Sequence, residues 1–167
     1  MIFNTTHEPS SAETVSDFER SRNIKLPEDY VAFLLDINGG GLNPEKSAAL
    51  IDGWNWLMVS FLLGLTSNPE HSISNHVFTN FSDDIHRMML MIGNDPFGEA
   101  IFMDLRPTSR GKIYVRAHNS PPNYPILVDD AGFEDEGDYE EASLFHPVAD
   151  SWTEFVAMLG PAPQLEE

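Results

Sequence analysis

Carboxylates and imidazoles are the side chains in this sequence that could hold a metal ion or act as a general base. Their densest group is Asp83-Asp84-Ile85-His86. Its spacing matches no metal-binding motif, and adjacent carboxylates do not face each other on a strand or a helix. His71 and His76 are five residues apart, which does not place them on one helical face. We therefore expect no metal, no cofactor and no catalytic residue, and a hydrolase built around His86 stays open as an alternative.

The segment 129–141, DDAGFEDEGDYEE, carries eight acidic residues and no basic one. The whole chain has 27 acidic and 9 basic residues, a net charge of −18. Such a chain repels nucleic acid and anionic membranes and attracts cationic proteins. A charge run is often only a solvated loop, but its functional interpretation is a docking surface for a basic protein. The predicted partner-binding residues are Asp129, Asp130, Glu134, Asp135, Glu136, Asp138, Glu140 and Glu141.

The composition bounds the class of protein. The sequence has no cysteine, which excludes disulfides, thiolate nucleophiles and cysteine-based zinc sites. The first residues lack the basic and apolar regions of a secretory signal, and the longest apolar run, around 54–65, is too short to span a bilayer. We expect a cytoplasmic protein with one domain over residues 1–167, a core from about 10 to 160 and a short frayed C-terminal tail.

Apolar residues at helical spacing predict helices near both ends of this domain. Predicted helices cover residues 10–23, 27–37 and 150–159, and Ser67-Asn68-Pro69-Glu70 is typical of a further helix start. Their predicted inward side chains are Val15, Phe18, Tyr30, Phe33, Leu34, Ile37, Ile73, Trp152, Phe155, Val156 and Leu159. Asn38-Gly39-Gly40-Gly41 ends the second helix, because glycine adopts the left-handed cap conformation without strain.

Short apolar runs between the helices predict strands. They cover 48–51, 58–65, 88–92, 100–105, 112–117 and 126–128, although 58–65 could also be a helix of similar length. Between two of them, Gly93 to Gly98 predicts a turn instead of a phosphate-binding loop, because no helix follows it. The pattern predicts an α+β fold: a mostly antiparallel sheet of about five or six strands with N-terminal and C-terminal helices packed on it.

The tryptophans could belong to the core or line a binding surface. Trp54 and Trp56 are two residues apart, hence on one face if their segment is a strand. We expect them to form a core pair, and an exposed aromatic anchor at an interface is the alternative. Trp152 falls on the apolar stripe of the last helix, which predicts a core position.

Three segments of the chain resemble the SUKH superfamily, whose members carry the Smi/Knr-type domain. LPEDYVAFLLDINGG, residues 26–40, resembles its helix with a Leu-Pro start and an Asn-Gly-Gly end. MLMIGNDPFGEAIFMDL, residues 89–105, followed by GKIYVRAH, resembles its central hairpin with an Ile-Gly-x-Asp turn. SWTEFVAML, residues 151–159, resembles its closing helix. The resemblance covers most of the chain.

The resemblance implies a binding protein without catalytic apparatus. Many bacterial members are immunity proteins that bind a toxin, often a nuclease, and fungal relatives regulate cell-wall synthesis and signalling through protein contacts. It also implies that five residues shape structural loops: Gly39, Gly40, Gly93, Asp95 and Gly98. We expect Asp95 to accept backbone hydrogen bonds within its loop.

These observations predict a non-enzymatic immunity protein that binds and neutralises a cognate bacterial toxin through an acidic surface. The expected partner is a basic toxin domain, such as a nuclease, and neither nucleic acid nor a membrane. A regulatory or scaffold module that binds an endogenous protein is the alternative.

Overall fold

The computed structural model describes residues 2–53, 55–75, 89–116, 145–161 and 163. Within them it has an α+β fold with three α-helices, a six-stranded antiparallel sheet and a separate two-stranded hairpin, so the predicted fold class is confirmed. None of the helices in these ranges is long and apolar enough to cross a membrane. The helices are α1 Ala12–Arg22, α2 Glu28–Asp36 and α3 Trp152–Met158.

Polar and conformational signals set the helix ends. Ser11 caps α1 by accepting a hydrogen bond from the backbone N–H of Thr14 (3.0 Å), one residue after the predicted start. Asn23 ends that helix in the left-handed conformation, at φ 52°. Pro27 precedes α2, and Ser151 caps α3 by accepting from the N–H of Glu154 (3.1 Å).

The sheet has the strand order β1-β4-β5-β6-β7-β8, with every neighbouring pair antiparallel. All five residues of β6 are buried, so both faces of the sheet are covered at its centre. β2 and β3 form the separate hairpin. The strands are β1 Gly40–Gly41, β2 Ala48–Ile51, β3 Asn55–Met58, β4 Phe61–Leu62, β5 Met89–Asn94, β6 Ala100–Asp104, β7 Ile113–Arg116 and β8 Phe145–Ala149.

Aromatic side chains join the helices within the core. The ring of Trp152 in α3 lies 4.9 Å from that of Tyr30 and 4.6 Å from that of Phe33, both in α2, measured between centroids. Asp29 of α2 also accepts hydrogen bonds from the backbone N–H and the hydroxyl of Thr153, both at 3.0 Å. The predicted core position of Trp152 is confirmed, because the side chain is buried in this cluster.

The prediction of a single element over 58–65 is wrong. The segment contains the end of β3 and all of β4, because the chain leaves the hairpin between them. The N–H of Val59 donates to Ser47 in the hairpin (2.6 Å), and that of Ser60 donates to Asn94 in the sheet (3.0 Å). β1, β8 and residues 55–57 of β3 were not predicted, and the predicted strand at 126–128 lies outside the described residues.

The predicted helix start at Ser67 is also wrong within the described residues. Residues 67–75 form turns, in which Asn68 accepts hydrogen bonds from the N–H of Glu70 (3.1 Å) and of His71 (3.1 Å). The N–H of Ile73 donates to the carbonyl of Gly64 (2.9 Å). The turn is therefore bonded to a neighbouring segment and does not continue as a helix.

Candidate functional site

Most of the predicted chemistry lies outside the described residues. That holds for the acidic segment 129–141, for residues 83–86 and for His76. The partner-binding role of the segment therefore stays a prediction. Within the described residues no group of three or more acidic or histidine side chains could hold a metal ion.

The turn between β5 and β6 is organised by the buried side chain of Asp95. One carboxylate oxygen accepts hydrogen bonds from the backbone N–H groups of Phe97 and Glu99, both at 2.7 Å. The backbone N–H of Asp95 donates to the carbonyl of Glu99 (2.9 Å), and Gly98 has φ +95°. The turn holds the side chain of Phe97 at its tip, 76% exposed.

Gly93 does not lie in this loop, contrary to the expectation from the resemblance. It belongs to β5, beside an irregularity in the pairing with β6. A Cβ atom there would lie 2.8 Å from the carbonyl oxygen of Phe61 and 2.9 Å from a methyl carbon of Leu62. The residue therefore permits the close approach of β4. Gly39 and Gly40 do follow the end of α2, with φ +90° and +139°.

Glu99 lies half-buried beside Asp95. Burial raises the pKa of Glu99 to about 7, and the charge of Asp95 and a hydrogen bond between the two side chains add to the increase. A carboxyl group that keeps its proton can donate to its neighbour, whereas two ionised carboxylates repel each other. The turn thus places the Glu99 carboxyl, whose pKa is raised, beside the side chain of Asp95.

The side chain of Asn38 bonds to separate segments of the chain. The sequence patterns placed this residue at the end of α2 but did not predict these hydrogen bonds. Its amide nitrogen donates to the carbonyls of Glu8 (2.8 Å) and Leu65 (2.9 Å), and its oxygen accepts from the N–H of Leu65 (2.7 Å). The side chain is buried, and the backbone is left-handed at φ 61°. Asn38 therefore joins three separate parts of the chain.

A buried ionic cluster closes the turn between β6 and β7. Asp104 is fully buried and accepts hydrogen bonds from the guanidinium of Arg106 (2.7 to 3.1 Å), the backbone N–H of Arg106 (2.9 Å) and the hydroxyl of Ser109 (2.7 Å). These contacts compensate the cost of burying the charge. The cluster borders a cleft of about 310 Å³ that is also lined by Lys112, Tyr114 and Glu154.

Two histidines among the described residues, His7 and His71, pack together against β4, near the β1 edge of the sheet. The rings of His7 and His71 lie 5.2 Å apart, and both contact the ring of Phe61. Burial and the charge of His71 lower the pKa of His7, which favours the neutral form. His7 also borders a cleft of about 570 Å³ lined mostly by hydroxyl-bearing residues.

The hairpin of β2 and β3 carries an exposed apolar pair. Leu50 is 63% exposed, and its cross-strand neighbour Trp56 is 41% exposed. The expected core position is therefore wrong for Trp56, and Trp54 lies outside the described residues. An alternating strand pattern alone does not reveal which face of a two-stranded hairpin meets the core.

The comparison with protein families agrees with the fold and with the three segments of the sequence. The model of the SMI1 / KNR4 family (SUKH-1) matches residues 9–158. The chain therefore belongs to the SMI1 / KNR4 family. No curated protein shows a significant match to it.

Proposed function

We propose that this chain is an immunity-type protein that binds a basic toxin domain and blocks it without chemical catalysis. The observation that carries the proposal is the charge pattern, a net charge of −18 with eight acidic residues in 129–141. Membership of the SMI1 / KNR4 family supports it, because domains of this family are generally protein-interaction modules.

The acidic surface would act by occupying a cationic site. A nuclease binds its substrate through positively charged side chains, so an acidic protein can compete for the same surface. Electrostatic attraction mainly raises the association rate, and salt weakens it because the Debye length is about 8 Å at physiological ionic strength. Association with the toxin should therefore slow markedly as salt increases.

Two buried carboxylates in the described residues have structural roles, as expected of a binding domain. Asp104 is held by Arg106 and Ser109, and Asp95 by two backbone N–H groups. Both carboxylates close turns and have their hydrogen-bonding capacity directed into the fold.

The test co-expresses the chain with a toxin-like domain, taken from a neighbouring reading frame if one encodes it. Growth should recover when both are present. The variant Glu134→Gln/Asp135→Asn/Glu136→Gln/Asp138→Asn should associate on the order of tenfold more slowly at low salt. Stopped-flow or surface-based kinetics at two salt concentrations measure this change.

The control neutralises four exposed acids elsewhere, Glu8, Glu13, Glu28 and Asp36. It changes the net charge equally but leaves the acidic segment intact, so its association rate should change much less. If both variants slow association equally, the effect comes from the overall charge of the chain and not from the acidic segment. Failure to restore growth, together with retention of an endogenous signalling protein on the tagged chain, would favour the regulatory alternative.

A further inference from the structure

The outer edge of β2 combines an exposed apolar pair with main-chain groups that point outward. Ala49 and Ile51 of β2 are buried, so Leu50 between them faces the other side of the hairpin. Leu50 lies directly opposite Trp56. Because cross-strand neighbours on one face contact each other, they form one continuous apolar patch.

Hydrogen-bond alternation fixes the direction of the main chain at Leu50. Ser47 accepts from Val59 (2.6 Å), which makes their pair a hydrogen-bonded one. Pairs alternate along an antiparallel ladder, so Leu50–Trp56 is a non-hydrogen-bonded pair. The N–H and C=O of Leu50 therefore point away from β3, and among the described residues no hydrogen bond to them from outside the hairpin is found.

The same edge already holds one extended segment. Two residues before Leu50, Ala48 exchanges hydrogen bonds with Gly160, from the Ala48 N–H (3.1 Å) and from the Gly160 N–H (2.8 Å). The chain reaches Gly160 from α3 through Leu159, which is extended, and α3 itself contacts β2. Among the described residues, no main-chain hydrogen bond continues this ladder beside Leu50.

The hairpin is held at its turn as well. Nε2 of His146 in β8 lies 2.8 Å from the carbonyl oxygen of Asp52. A carbonyl can only accept, so Nε2 carries the proton in this contact. Contacts at both ends fix the hairpin before a partner arrives, which lowers the entropy cost of binding.

We propose that an extended, basic segment of a partner protein adds as a strand to the outer edge of β2, with an apolar side chain on Leu50 and Trp56. The inference rests on the proposed function only in that the domain acts by binding a protein. Main-chain bonds supply affinity and side-chain pockets supply specificity in this recognition mode.

Charge complementarity selects the occupant. The chain carries a net charge of −18, and Asp52 is exposed at the hairpin turn, while Glu45 and Lys46 before β2 offset each other. A Lys or Arg side chain would be attracted to Asp52 and to the face of Trp56. A second copy of this chain would bring the same negative charge to the edge and be repelled.

The test uses a short peptide of alternating Lys and Val as the probe, with the intact chain. We expect peptide binding to slow hydrogen exchange at the Leu50 amide by about tenfold or more, because that N–H would become hydrogen-bonded. Methylation of alternate peptide nitrogens should abolish the protection at unchanged charge. A peptide of alternating Lys and Gly controls for charge alone.

Variants of the chain separate this edge from other exposed apolar positions. Leu50→Lys and Trp56→Ser should each weaken peptide binding about tenfold. Leu35→Ser is the matched control, since Leu35 is 38% exposed on α2 and should leave binding unchanged.

Two results would overturn the inference. One is binding that neither peptide methylation nor the Leu50 change affects, and the other is a dimer of this chain that dissociates with Leu50→Lys. Neither result bears on the proposed function, which is tested separately by the acid-neutralised variants.

Discussion

Replacing Asn38 by Ala should destabilise the fold far more than the loss of one polar side chain normally does. The amide of Asn38 makes three hydrogen bonds, two of them to the N–H and the C=O of Leu65 in a buried setting. The third reaches the carbonyl of Glu8, an exposed residue, and solvent can replace it. The two groups of Leu65 are buried and would lose their hydrogen-bond partner.

The expected magnitude follows from these contacts. A buried donor or acceptor left without a partner costs about 1–3 kcal/mol. Alanine at φ 61° adds about 1 kcal/mol, because Asn tolerates the left-handed conformation better than Ala does. With two such groups and the backbone contribution, we expect a loss of about 3–7 kcal/mol in the free energy of unfolding, a large part of the stability of an ordinary domain.

Urea unfolding followed by circular dichroism measures this loss. Asn38→Gly separates the two contributions, since it removes the amide but relieves the backbone strain, and it should cost about 1 kcal/mol less than Asn38→Ala. Asn43→Ala is the control, because Asn43 accepts one exposed hydrogen bond, from the N–H of Glu45 (3.1 Å), and should cost about 1 kcal/mol or less. Equal losses of unfolding free energy for Asn38→Ala and Asn43→Ala would show that the buried bonds of Asn38 do not stabilise the fold in this way.

Two further perturbations test close packing and titration. Gly64→Ala should destabilise the fold by several kcal/mol, because its Cβ would lie 1.8 Å from the carbonyl oxygen of Asn38. Gly160→Ala is the control and should be nearly neutral, because no atom lies within 4 Å of its Cβ. Thermal unfolding measures both, and similar melting temperatures for the two variants would contradict this prediction. The pKa of Glu99 is raised to about 7 in the folded state, so above pH 4.5 the folded state keeps a proton that the unfolded state has lost. The contribution of Glu99 to the free energy of unfolding therefore falls as pH rises through about 7. Glu99→Gln should remove about 1 kcal/mol of that pH dependence after solvent screening, measured as unfolding at pH 5 and 8, and an unchanged difference from pH 5 to 8 would count against the carboxyl pair.

Local signals in the sequence were sufficient to predict the helices and strands whose structure depends on their own residues. The stripe of Tyr30, Phe33 and Leu34 predicts α2, and all three side chains are buried. The run 48–51 predicts β2 with the bounds that the structure has. Helix caps and strand runs depend on neighbouring residues, so their pattern can be recognised without knowledge of the rest of the chain.

The parts that failed depend on contacts between distant segments. Gly93 was assigned to a loop because glycine favours turns, but its role is to let β4 approach β5 closely. Trp56 was assigned to the core because large aromatic residues are usually buried, yet it is exposed, because the face of the hairpin that points inward depends on elements packed against it, such as α3 against β2. A sequence pattern contains the period of a strand but not its neighbours.

The acidic segment and the edge of β2 would contribute to binding in different ways. Charge acts over a distance of several ångströms and mainly accelerates encounter, but it distinguishes poorly between basic proteins. An edge strand with an apolar pair acts only at contact, and it requires an extended segment with suitable side chains at alternate positions. If both operate, salt should change the association rate with little effect on the dissociation rate. Leu50→Lys should do the reverse, because the contacts it removes form only after the partner has docked.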